Sequence, residues 1–93
     1  MKIELSDIFF ENLGEIVRFI AKDKPIAAKN FKKKLIVAIH KDLQQPFLFK
    51  KSIYFDNPHY RDYVYKGYTI SYAVFEEDQT VNVFGIIKNK FSY

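Results

Sequence analysis

Two hydrophobic periods alternate along the chain. "KIEL", residues 2–5, alternates polar and apolar positions, so Ile3 and Leu5 share one face and a short first strand is predicted. The period then lengthens. From Asp7 onward Phe9, Leu13, Ile16, Val17 and Ile20 recur at helical spacing, opposite Glu11, Glu15, Arg18 and Lys22, with Ser6 or Asp7 placed to cap the helix. "KDKP", residues 22–25, interrupts it, because proline fits a first helical turn but not a helix interior, and Asp23 is placed to accept from the first amides of a second helix. That helix carries a stripe of Ala28, Phe31, Leu35, Ala38 and Ile39, extends toward Leu43 and ends before Pro46. A turn this short folds two amphipathic helices into an antiparallel hairpin.

"QQPFLFKKSIYFDNPH", residues 44–59, has two prolines and no clean period, and reads as a loop pinned by its aromatic rings. Strand alternation returns in "YRDYVY" (60–65), "YTISYAVF" (68–75) and "TVNVFGII" (80–87). Lys66-Gly67 and "EEDQ" (76–79) connect these runs into an antiparallel meander. The expected order is β-α-α-β-β-β, an α+β fold with the helical hairpin packed on one face of a small, mostly antiparallel sheet, and residues 1–93 forming a single domain.

Composition narrows the chemistry. An apolar share of 48% supplies a small core. The chain has no cysteine, which excludes disulfides, thiolate nucleophiles and cysteine-ligated zinc, and only His40 and His59 offer imidazole, so no metal or cofactor is expected. No window suits a signal peptide or a membrane span, and a cytoplasmic location without membrane partners is expected. The formal charge of +4 comes mostly from lysine and favours an acidic partner, nucleic acid or protein.

Three groups of residues stand out from this background. "KNFKKK", residues 29–34, turns Lys29 and Lys33 away from the apolar stripe, with Lys32 and Lys34 on its flanks; such a run is ordinarily a solvated face. Ile36 and Val37 lie off the stripe and either widen the core face or form a partner patch, the first being favoured. Arg61 is a strand arginine, costly to bury, that must face water, pair with a carboxylate or bind something, and its planar fork suits phosphate or carboxylate. His59 beside it has acid or base capacity near neutrality, although a loop histidine after proline is ordinarily just exposed. Glu76, Glu77 and Asp78 sit in a turn and read as solvating, and there is no phosphate-cradling glycine loop or serine, histidine and acid arrangement.

The element order, together with "ENLGEIVRFIAKDKPIAAKNFKKKL", "DLQQPF" and "YRDYVYKGYTISYAV", resembles the RelE/ParE superfamily of toxins from bacterial toxin–antitoxin modules, across nearly the whole chain. The resemblance implies a small basic growth inhibitor, of the plasmid-stabilisation type, neutralised by a cognate antitoxin whose C-terminal segment wraps around it. RelE-like members cut messenger RNA in the ribosomal decoding site using the RNA's own 2′-hydroxyl, whereas ParE-like members inhibit DNA gyrase. A ribonuclease needs cations for the phosphorane-like charge and a donor for the departing oxygen. Arg61 fits one such place, and Lys88, Lys90 and Tyr93 approximate the C-terminal basic and tyrosine positions; these four are the catalytic candidates if the chain is a nuclease. Against this, Thr69 stands where many ribonuclease members carry a second arginine, and no glutamate lies between Gln44 and Phe55. The resemblance therefore favours the ParE-like branch, with the ribosome-dependent nuclease and a non-toxic binding module of the same fold as alternatives. Arg61, Lys29, Lys33, Ile36, Val37, Lys88 and Lys90 are the candidates for target or antitoxin binding, and Arg61, Lys88 and Lys90 are expected to share one basic patch.

Overall fold

The computed structural model describes residues 1–89; the candidate residues Lys90 and Tyr93 lie outside them. The order is β1 (Lys2–Leu5), α1 (Asp7–Ala21), α2 (Pro25–Asp42), a 3-10 turn at Pro46–Leu48, β2 (Lys50–Lys51), β3 (Tyr60–Tyr65), β4 (Tyr68–Phe75) and β5 (Thr80–Lys88). The α+β class and the helical hairpin on a small sheet are as expected. The sheet is five-stranded and mixed, in order β1-β5-β4-β3-β2, with β1 parallel to β5 and the other pairs antiparallel. The segment read as a loop thus contributes a short strand and a helical turn, neither of which has an apolar period to announce it.

Local chemistry accounts for most boundaries. Ser6 caps α1, its hydroxyl accepting from the Phe9 amide at 3.2 Å. Asp23 does not cap α2: the cap position is Lys24, with no side-chain cap bond, and Pro25 begins the helix in its place. Lys66 and Gly67 both have positive φ, 47° and 85°, the geometry that lets a two-residue connection follow the twist of β3 and β4. A bulge opposite Ser71 and Tyr72 pairs Ser71 with Gly85 and Tyr72 with Val83, so Phe84 is an extra residue in β5.

The helices cover one face of the sheet. Phe9 and Leu13 of α1 and Leu35 and Ile39 of α2 are buried with Tyr63, Ile70, Tyr72, Val81 and Val83. Phe31 packs against Tyr65 and Tyr68, which flank the β3–β4 turn, so the part of α2 before it extends past the sheet end. There the helices support each other through buried Ala28, and Phe19 and Ile26 near the hairpin tip are 72% and 77% exposed. The molecule is accordingly elongated, 42 × 26 × 20 Å. Among the described residues no helix is long and apolar enough to cross a membrane.

Candidate functional site

Arg61 is the one arginine on the sheet. Its cross-strand neighbour is Tyr72, a core residue, so the side chain starts on the helix-covered face. Nε donates to the Pro58 carbonyl at 2.9 Å, Nη1 donates to the Phe49 carbonyl at 3.0 Å, and the guanidinium lies 4.9 Å from the Phe47 ring. Arg61 thus ties down the segment between α2 and β3 at two points, one just before β2 and one just before β3. Two further side chains hold that strap: the Tyr72 hydroxyl donates to the Pro46 carbonyl, and the Asp62 carboxylate accepts from the Ile53 amide and the Ser71 hydroxyl. The rings contribute as expected, Phe49 edge-on to Tyr63 and Phe55 against Tyr60 and Phe84.

Lys88 does not join Arg61. It pairs with Tyr68, whereas Arg61 pairs with Tyr72, four residues away on β4, which separates them by roughly 13 Å along the strand and by two strand spacings across the sheet. The expected shared patch is therefore not formed by these two, and Lys90 lies outside the described residues. The face of the sheet away from the helices is chiefly apolar, with Tyr60, Val64, Ala73, Phe75, Phe84 and Ile87, while Asp62, Thr69 and Ser71 are buried on it. His59, 3.7 Å from Glu76 through Nδ1, sits at the sheet margin beside Phe47.

The cations gather on α2 instead. The helix holds five lysines, at 29, 32, 33, 34 and 41, against the single acid Asp42, a net +4 equal to that of the entire chain. Asp42 itself accepts a short hydrogen bond from the Tyr63 hydroxyl, which keeps its carboxylate turned toward the sheet. Two shallow depressions run along the outer side of α2, one bordered by Lys29, Lys32 and Ile36, the other by Lys34, Ala38 and Lys41, and Lys33 and Val37 form the ridge between them. Ile36 is half-buried against the core, as favoured from the sequence, whereas Val37 is 63% exposed. Ala38, expected in the apolar stripe, is only half-buried and borders the second depression, and Lys41 escaped the sequence reading, although continuing the four-residue row from Lys29 through Lys33 and Val37 reaches it.

The described residues hold no cluster of three or more histidines and acids able to bind a metal ion. The two buried phenols are also poor bases near neutrality. Burial raises the Tyr63 hydroxyl well above its usual range, and the bond to Asp42 and that carboxylate's charge add to the effect. Burial raises Tyr72 as well, with Arg61 opposing and Asp62 reinforcing the shift.

The family model for the ParE toxin of the type II toxin–antitoxin system parDE matches residues 3–93. No curated protein sequence matches. Among solved structures, one from the RelBE2 toxin–antitoxin complex of Mycobacterium tuberculosis is similar with a TM-score of 0.64 at 14% identity, over 95% of this chain and 90% of that one. The isolated RelE toxin of E. coli is similar with a TM-score of 0.55 at 17% identity, over 98% of this chain and 86% of that one. At such identities the structural likeness speaks for the fold, and the family assignment rests on the sequence match across nearly the full length. The chain belongs to the ParE toxin family of type II toxin–antitoxin systems, within the RelE/ParE superfamily.

Proposed function

We propose that this toxin is restrained by a cognate antitoxin and, when free, inhibits DNA gyrase in the ParE manner rather than cutting messenger RNA on the ribosome. The observation that carries the choice is the dispersal of the cations a nuclease would concentrate. Arg61 is tied down by two of its five N–H donors, which go to the Phe49 and Pro58 carbonyls, and Lys88 lies at the other end of the sheet. Charge developing on a phosphorane needs several donors converging on one point. The match of residues 3–93 to the ParE family supports the same branch. The RelE-like nuclease is the second reading, favoured by the fold shared with the RelE toxin.

In this reading the contact residues for antitoxin or target are Lys29, Lys33 and Val37 on the outer side of α2, with Ile36 beside them. Neither a small-molecule cofactor nor a membrane takes part, and the toxin acts in the cytoplasm. Induced expression with and without the protein encoded next to it tests the proposal. Growth arrest with relaxed plasmid DNA, relieved by co-expression, is expected; unimpaired growth overturns the toxin reading, and arrest with normally supercoiled plasmid overturns the choice of gyrase.

A further inference from the structure

We infer that the sheet face away from the helices holds a binding cleft for a neutral planar aromatic ring that carries an N–H donor, an indole being the type. The inference goes beyond the toxin reading and does not depend on it. The cleft, of about 290 Å³, includes Gly85 of β5 and is walled by Tyr54, Phe55, Phe84 and Ile87. Gly85 is the first argument. A glycine inside a strand weakens it, and its place there marks a bulge, a bend or the close approach of something else. The extra residue of the bulge is Phe84, Gly85 lacks a positive φ, and a β-carbon on it would meet no atom of the described residues within 4 Å. Neither backbone geometry nor packing among those residues asks for glycine. Its missing side chain leaves the strand backbone open to a flat ligand.

The second argument is the chemistry of walls and floor. Phe55 packs edge-on against Phe84, with ring centroids 5.4 Å apart, and against Tyr60 at 4.7 Å, while the Asp62 carboxylate ties the strap at the Ile53 amide, so the walls stand without a ligand. The floor selects a donor. Thr69 and Ser71 line the cleft although each is more than nine-tenths buried, and each hydroxyl gives its one proton away, Thr69 to Asn89 Oδ1 and Ser71 to the Asp62 carboxylate. Only lone pairs are left for a ligand. Among the described residues no charged side chain borders the cleft, and Asp62 lies beside Ser71, so a phosphate or carboxylate would be buried unmatched. The volume is at the lower end of ligand pockets and suits one bicyclic ring.

The chain has no tryptophan, so the fluorescence of indole itself reports binding to the full chain. Indole should bind saturably, and N-methylindole, of nearly the same shape but without the N–H, about tenfold more weakly. Adenosine monophosphate, which brings a phosphate, should bind more weakly than either. Gly85→Leu, which puts a side chain into the open space, should lower indole affinity by about tenfold or more without lowering the melting temperature, since leucine suits a strand better than glycine. Thr69→Val, which removes an acceptor, should bring indole and N-methylindole closer in affinity. N-acetyltryptophanamide separates the two sources of such a ring: binding as tight as that of indole assigns the cleft to a tryptophan of another protein, and much weaker binding assigns it to a free small molecule, the ring chemistry holding in both. Absence of saturable binding, equal affinity of the unaltered chain for indole and N-methylindole, unchanged binding by a folded Gly85→Leu chain, or tighter binding of the nucleotide would each overturn the inference.

Discussion

Replacing Arg61 with alanine should loosen the strap between α2 and β3 before it affects anything else. The lost interactions are two N–H donations from a cationic fork, at 2.9 and 3.0 Å, and a ring contact at 4.9 Å. The Pro58 contact is solvent-exposed and the Phe49 contact is half-buried, so the first contributes about 0.5 kcal/mol and the second about 1.5 kcal/mol, with roughly 0.5 kcal/mol from the ring. The total, about 2 to 3 kcal/mol, is a large fraction of the stability of a small domain. Urea titration measures it. Amide exchange locates it: the Ser52 and Ile53 amides, held by the Tyr60 carbonyl and the Asp62 carboxylate, should lose protection while the amides of Leu35 and Ile39 keep theirs. Arg61→Lys keeps the charge but not the fork and should recover less than half of the loss. An alanine variant with unchanged stability and a fully protected strap would show that the guanidinium is free for another use. Weakened target or antitoxin binding in that variant would return Arg61 to the role of a surface contact.

Three other outcomes follow from the packing. Leu35→Ala should cost about 2 to 5 kcal/mol in urea titration, because Leu35 is buried between hairpin and sheet, whereas Lys33→Ala on the opposite side of α2 should be nearly silent; equal effects would mean that the helix is rotated. Tyr63 and Tyr72 release their protons less readily folded than unfolded, so stability should hold up to about pH 10 and fall above it as the unfolded chain ionises first; Tyr63→Phe and Tyr72→Phe should each flatten that alkaline loss, and an unchanged slope would show that these phenols are not its source. Gly67→Ala, at φ 85°, should cost about 1 kcal/mol or more in thermal melts, and a neutral result would contradict the turn geometry.

What was legible in the sequence is what a local period can encode. β3 and β4 fall at the residues that the alternation of "YRDYVY" and "YTISYAVF" marks, because each has one face on the core and a turn with positive φ fixes the register between them. β2 was invisible, since Lys50 and Lys51 carry no apolar signal and are strand only because Asp62 and Arg61 lie opposite. The parallel pairing of β1 with β5 joins residues almost eighty positions apart, for which no local pattern exists. The site divides the same way. The lysines of α2 and the exposure of Lys33 were readable from helical phase. The occupation of Arg61 was not, because its acceptors are backbone carbonyls, which every residue has and no composition reveals.

The most direct test of the central claim is an in vitro supercoiling assay: purified chain, DNA gyrase, relaxed plasmid and ATP, alongside a ribosome-programmed transcript mapped for 2′-hydroxyl-dependent cuts. Gyrase inhibition predicts loss of supercoiling as the chain is titrated in, its recovery when the antitoxin is added, and an intact transcript. Codon-positioned cleavage with undisturbed supercoiling, abolished by changing Arg61 or Lys88, would contradict it and establish the ribonuclease.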